Sequence, residues 1–258
     1  MYLPTGIATL DHYLQHGYET VRGMSSGFAA SICGHMLRRQ SEMGISGHIA
    51  EIGTFEGRFF IALAHGLAAR EHAIGIDIFT WPSEKVLANL HENCARHGLD
   101  AARYTAIKGS TAYMSPADVM APVKGRADVD ASLPIRFFHI DGQHDEENLT
   151  KDLSLALPLM HEHGLIVLDD MLHPSYPGLV ETVHQWLRAH KEWVCLAIID
   201  REDIVAAAKY VLVREASLHL YEQDLLTRFA PQVFPMGSDV EGHFTVVLTP
   251  EPRLAEVD

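Results

Sequence analysis

The chain has no long apolar run: nothing approaches the roughly 18 consecutive apolar residues that membrane spanning requires. Its opening stretch, MYLPTGIATLDHYL, has neither a basic leader nor an extended apolar core, so export and membrane insertion are both disfavoured. Cysteine is scarce. Cys33, Cys94 and Cys195 are odd in number, widely spaced and without a CxxC pair, which excludes a disulfide framework or a zinc knuckle and points to a reducing cytoplasm. Positive charge is also short: 20 Lys+Arg face 34 Asp+Glu, a formal charge of -14, and no basic cluster offsets it. Such a surface repels a phosphate backbone, so nucleic acid is not an expected partner. What remains is ordinary globular material, 258 residues with 47% apolar and 21% charged side chains. That length suits one α/β domain with decorations better than two folding units. The 17 histidines mostly fall singly on amphipathic segments, where a solvated or hydrogen-bonded imidazole is the usual outcome.

Phe28, Ile32, Met36 and Leu37 recur at helical spacing between Met24 and Met43, and Gly44 and Gly47 then break the pattern. A strand is expected at His48–Gly53, followed by a glycine-containing turn and a helix carrying Phe59, Phe60, Leu63 and Leu67. The unit repeats. A run at Ala73–Asp77 precedes a helix with Val86, Leu87, Leu90 and Cys94, and a third strand near Tyr104–Ile107 leads into Lys108-Gly109-Ser110. Ser115 to Leu133 holds Pro116, Pro122, Gly125 and several aspartates and reads as a mixed helix-and-loop connection. Beyond it come a strand at Ile135–Asp141, a helix with Leu149, Leu153, Leu157 and Met160, and the apolar strand Gly164–Asp170. Runs at Val194–Asp200, Lys209–Val213 and Phe244–Thr249 complete the far edge. Apolar runs alternating with amphipathic helices imply a doubly wound, mostly parallel sheet with helices on both faces.

In open sheets of this kind, ligands sit beyond the carboxyl ends of the strands, so the residues closing successive strands share one crevice. The first such motif is Glu51-Ile52-Gly53-Thr54-Phe55-Glu56-Gly57, in which Gly53 and Gly57 permit a tight turn and close approach of a ligand to the backbone. It is not GxGxxG. Phe55 stands where a second turn glycine would, and Glu51 and Glu56 repel a pyrophosphate, so a ligand bearing an ammonium or sulfonium suits the loop better. Asp77 follows Glu51 by 26 residues, close to the offset at which an acid grips two ribose hydroxyls. A nucleoside with an amino-acid tail satisfies both acids. The pattern resembles the class I S-adenosylmethionine-dependent methyltransferases, whose first motif is an acid before a glycine-containing turn and whose second strand ends in a ribose-binding acid. The resemblance implies a Rossmann-like seven-stranded sheet. It places Glu51 at the methionine amino group, the backbone of Gly53, Thr54, Phe55 and Gly57 at its carboxylate end, and Asp77 at the ribose. Ile78, Gly109 and Ser110 fall at the adenine, and Asp141 borders the same cofactor.

Downstream lie His139-Ile140-Asp141-Gly142-Gln143-His144 and, 28 residues after Asp141, the pair Asp169-Asp170. Three carboxylates gathered without a cation would raise one another's pKa and destabilise the fold, whereas a divalent ion turns the repulsion into coordination. All-oxygen ligands favour Mg²⁺, with Mn²⁺ or Ca²⁺ as alternatives. From Met24 to Leu187 the chain resembles the cation-dependent small-molecule O-methyltransferases, including the catechol and caffeoyl-CoA types and the sugar and macrolide enzymes of antibiotic pathways. That resemblance makes Asp141, Asp169 and Asp170 the metal ligands and His144, three positions after the first, the general base, with His173 in reserve. Met24-Ser25 resembles the segment that lies against the cofactor's methionine end.

The resulting expectation is a Mg²⁺-dependent enzyme moving a methyl group from S-adenosylmethionine to a hydroxyl of a small vicinal diol, catechol or sugar. Residues 1–46 form a helical cap or substrate lid, and residues 47–258 the methyltransferase domain. Nitrogen methylation and a catalytically silent scaffold are the competing readings. Chelator-insensitive turnover would favour nitrogen, and the retained aspartates with His144 argue against silence. A nicotinamide oxidoreductase is disfavoured by Glu51 and the missing central glycine. The irregular tail from Ala230 onward offers a surface for self-association.

Overall fold

A computed structural model describes residues 1–251. Residues 252–258, which the sequence assigns to the methyltransferase domain, lie outside the described part. The first five strands are β1 (His48–Ile52), β2 (Ala73–Asp77), β3 (Tyr104–Lys108), β4 (Ile135–Ile140) and β5 (Met160–Met171). They run parallel, because each crossover returns through a helix packed on one face. The pair β6 (Trp193–Ile199) and β7 (Ala208–Arg214) is antiparallel, and β7 inserts between β5 and β6. Two last strands, β8 (Ser238–Val240) and β9 (His243–Leu248), extend the edge, so the order is β3-β2-β1-β4-β5-β7-β6-β9-β8. Among the described residues the sheet therefore has nine strands and not the expected seven. β8 is only three residues long, too short to leave a periodic signal.

The helices divide between the faces. On one side α1 (Ala8–His16), α2 (Gly27–Glu42), α3 (Arg58–Ala64) and α4 (Val86–Arg96) bury Leu10, Phe28, Phe60 and Leu90 against Ile49, Phe137, Val167 and Val211. On the other, α5 (Pro116–Val119), α6 (Glu146–Ala156) and α7 (Gly178–Ala189) bury Val119, Leu153 and Val183 against Ala50, Phe138, Ile166 and Leu212. A further helix, α8 (Glu222–Arg228), joins the first layer through Leu225. Alternation along each strand decides which residues meet which layer. The helix expected to run through Leu157 and Met160 stops sooner. Pro158 has no N–H to donate and disfavours a helical Leu157, so Leu157–Leu159 is a single 3₁₀ turn and Met160 already belongs to β5. The chain leaves β1 toward β2 and β3, then returns to β4 on the other flank. The reversal opens a crevice beyond the carboxyl ends of β1 and β4.

Candidate active site

A cleft of about 510 Å³ occupies that crevice. Glu51, Gly53, Thr54, Phe55, Asp77, Ile78, Gly109, Ser110, Asp141 and His144 all line it, as do Arg22, Met24, Ser25, Arg58 and Trp81. Gly53 adopts φ +82, and a Cβ there would lie 1.7 Å from the Asp141 carbonyl oxygen, so β1 and β4 reach this closeness only with glycine. Gly57 does not line the cleft. It is the left-handed residue (φ +93) that starts α3, and a Cβ would strike Leu90 Cδ1 at 2.5 Å, so its role here is the turn and its packing. Asp77 is committed to the backbone: the Phe55 N–H donates to Oδ2 (2.8 Å) and the Phe79 N–H to Oδ1 (2.7 Å). Both phenylalanines sit at positive φ, 49 and 50, so this carboxylate clips together the two loops that wall the cleft. Its remaining lone pairs are free for a ligand.

Glu51, His139, Asp169 and Lys209 occupy neighbouring strands β1, β4, β5 and β7 at positions that share the face of Ile49, Phe137, Val167 and Val211. They form a buried row of charges. His139 Nδ1 is 2.8 Å from Glu51 Oε1, and Lys209 Nζ donates to His139 Nε2 (3.3 Å), to Ser25 Oγ (3.1 Å) and to Asp169 Oδ2. Burial pushes Glu51 up to about 7, with the His139 contact opposing the rise. Burial alone would raise Asp169 as well, but the Lys209 ammonium and His139 outweigh it and hold this carboxylate below the usual range. Among the described residues Glu51 Oε2 is buried with no partner, at the wall of the cleft. An unpaired buried carboxylate oxygen is costly unless a ligand donor meets it. It suits the ammonium of S-adenosylmethionine, and residues lining the cleft thus fit that cofactor.

The expected metal triad is rearranged. Asp141, His144 and Asp170 offer donor atoms within 4.8 Å of one another. Asp169 is not in this group, because side chains alternate along β5 and its carboxylate turns to Lys209 on the opposite face. Asp170 is re-aimed by its own backbone, φ +58, a conformation that Asp tolerates better than most residues. Its Oδ2 lies 2.7 Å from His144 Nε2, and Asp141 Oδ1 lies 3.6 Å from the same nitrogen. Burial, with the charges of Asp169 and Asp170, raises Asp141 to about 6. Burial favours the neutral His144 ring, yet hydrogen bonds and charge from Asp141 and Asp170 outweigh it and lift the imidazole to about 11. In this state the ring's own proton is the counter-charge of the two carboxylates. His144 also borders a second, more open hollow walled by Asp145, Glu146, Ser175, Tyr176 and Leu179. Tyr176 stacks between His144 (4.4 Å between ring centres) and His173 (4.7 Å). The reserve base His173 packs on Tyr176 and is not among the residues that line the cleft.

The fold and the place of the cleft are those of the Rossmann-like methyltransferase fold. Residues 50–171 match the family model described as a methyltransferase domain. No curated protein matches the chain by sequence. Solved structures share its fold. The O-methyltransferase TomG from Streptomyces achromogenes, of tomaymycin synthesis and solved with SAM, is 18% identical over 80% of this chain and 89% of its own, with TM-score 0.54. An O-methyltransferase from Bacillus cereus, solved with SAH, is 18% identical over 81% and 91%, with TM-score 0.55. CalS11, a TDP-rhamnose 3'-O-methyltransferase of calicheamicin biosynthesis, is 17% identical over 81% and 92%, with TM-score 0.53.

Proposed function

We propose that the protein transfers a methyl group from S-adenosylmethionine to a hydroxyl of a small metabolite, with a divalent cation beside the acceptor. The observation that carries this reading is the Asp141–His144–Asp170 group, placed where the cofactor cleft and the outer hollow share His144 as a wall. Two carboxylates suit Mg²⁺, and the imidazole nitrogen makes Mn²⁺ an equally good fit. A bound divalent cation supplies positive charge that acidifies a neighbouring hydroxyl and fixes its direction. Glu51 receives the cofactor's ammonium, and Asp77 its ribose. The acceptor enters from the outer hollow, against Tyr176. His144 Nε2 is the nitrogen placed to take the hydroxyl proton, and it does so once the charge of Asp141 and Asp170 is balanced by something other than its own proton. An acceptor with two adjacent oxygens, a catechol, vicinal diol or sugar, spans Asp141 and Asp170 best. The TDP-rhamnose named for CalS11 belongs to that class.

Residues 1–46 act as the substrate lid, through the Arg22 to Ser25 segment that lines the cleft. A cytoplasmic setting accords with the three free, buried thiols. The test is release of S-adenosylhomocysteine with a panel of catechols, diols and sugars, with and without chelator. Activity on a hydroxylated acceptor that chelator abolishes and Mg²⁺ or Mn²⁺ restores supports the reading. Turnover that is insensitive to chelator, or confined to amines, contradicts it.

A further inference from the structure

Lys209 is a member of the buried row that the cofactor reading leaves without a task. It is fully buried near the start of an apolar strand, an expensive place for an ammonium unless every contact is used. Its Nζ lies 4.7 Å from the Phe59 ring centre and touches Asp169, Ser25 and His139. An ammonium can only donate, so with a neutral His139 ring the Nε2 that it meets at 3.3 Å accepts, and Asp169 Oδ2 lies 3.6 Å from the same nitrogen. The ring proton then resides on Nδ1 and donates to Glu51 Oε1 at 2.8 Å. One oxygen of Glu51 is thereby tied down. The other, Oε2, has no partner among the described residues, and Glu51 is one of the residues that line the cleft. Ser25, which accepts from Lys209 and donates to Asp169 (3.1 Å), fastens the same row to the segment before α2.

We infer that Lys209 is a positioning residue for the amino-acid end of the cofactor, acting through His139 on Glu51. The inference rests on the S-adenosylmethionine reading of the cleft and extends it to a residue on β7, two strands away from the nearest cofactor motif. It also gives Asp169 a task other than holding a cation: it is the counter-ion that makes a buried Lys209 tolerable.

The test compares two ligands by titration calorimetry. S-adenosylhomocysteine carries the amino-acid end, and 5′-methylthioadenosine lacks it. The parent protein should bind both. Lys209→Met should weaken S-adenosylhomocysteine roughly tenfold or more, the scale of a lost hydrogen bond to a charged group. It should leave 5′-methylthioadenosine within about twofold. Should Lys209→Met fail to fold because Asp169 is left buried and unpaired, Lys209→Met with Asp169→Leu removes both charges and carries the same expectation. Equal weakening of the two ligands, or of neither, overturns the inference. A parent that binds neither ligand overturns the cofactor reading beneath it.

Discussion

Two buried ionic clusters lie at opposite ends of the same strands. At the amino end of β4, Arg136 is completely buried against Glu71. Its Nε and Nη2 donate to the two Glu71 oxygens, at 2.9 and 2.8 Å, and the remaining hydrogens reach Gln40 Oε1, Leu37 O and Gly66 O. Glu71 is filled out by the N–H groups of Gly47 and Ala68. At the carboxyl end, the Glu51–His139–Lys209–Asp169 row is also buried, yet one oxygen of Glu51, a residue that lines the cleft, has no partner among the described residues. Saturated charge is architecture, because no ligand could add a bond to it. A buried charge with one unpaired oxygen can still accept a donor from a ligand.

The two clusters should therefore break differently. Arg136→Met leaves Glu71 buried and alone and should cost about 3–5 kcal/mol of stability, a fall in melting temperature of roughly 10 °C, while S-adenosylhomocysteine affinity stays near the parent's. Glu51→Gln should do the reverse, weakening S-adenosylhomocysteine about 10–100-fold by calorimetry with no loss of melting temperature. The sign follows from its pKa, raised from 4.5 to about 7 in the fold. The native state then holds the proton more tightly than the unfolded chain, so this residue's contribution to stability falls as pH rises from about 4.5 to 7. A neutral amide removes that penalty above pH 7. Asp152 is an intermediate case, buried beneath Gly142 with Oδ1 unpartnered and its pKa raised by burial from 3.8 to about 6. By the same sign, Asp152→Asn should stabilise the fold by roughly 1–2 kcal/mol at pH 8 and have almost no effect at pH 4, read from paired thermal melts.

The strand-end acids were legible because β-strands bounded by polar turns announce where a parallel sheet ends, and Glu51, Asp77 and Asp141 all close strands or stand just past them. The structure does not bring Asp169 together with Asp170. Adjacent residues on a strand point to opposite faces, and only the left-handed turn at Asp170 brings that carboxylate to Asp141. Lys209 left a signal, a lone cation opening the buried run to Val213, but its partner depends on the antiparallel pairing of β5 with β7. No local pattern encodes that register. The extension of β5 back to Met160 was also hidden, since Met160-His161-Glu162-His163 is too polar to read as a core strand.

The most direct test of the account is calorimetric titration of Mn²⁺ into the parent protein and into Asp141→Asn, Asp170→Asn and Asp169→Asn, each with S-adenosylhomocysteine bound. Loss of binding in the first two variants and its retention in Asp169→Asn is the predicted result. No binding to the parent, or loss in Asp169→Asn with retention in Asp170→Asn, would contradict it.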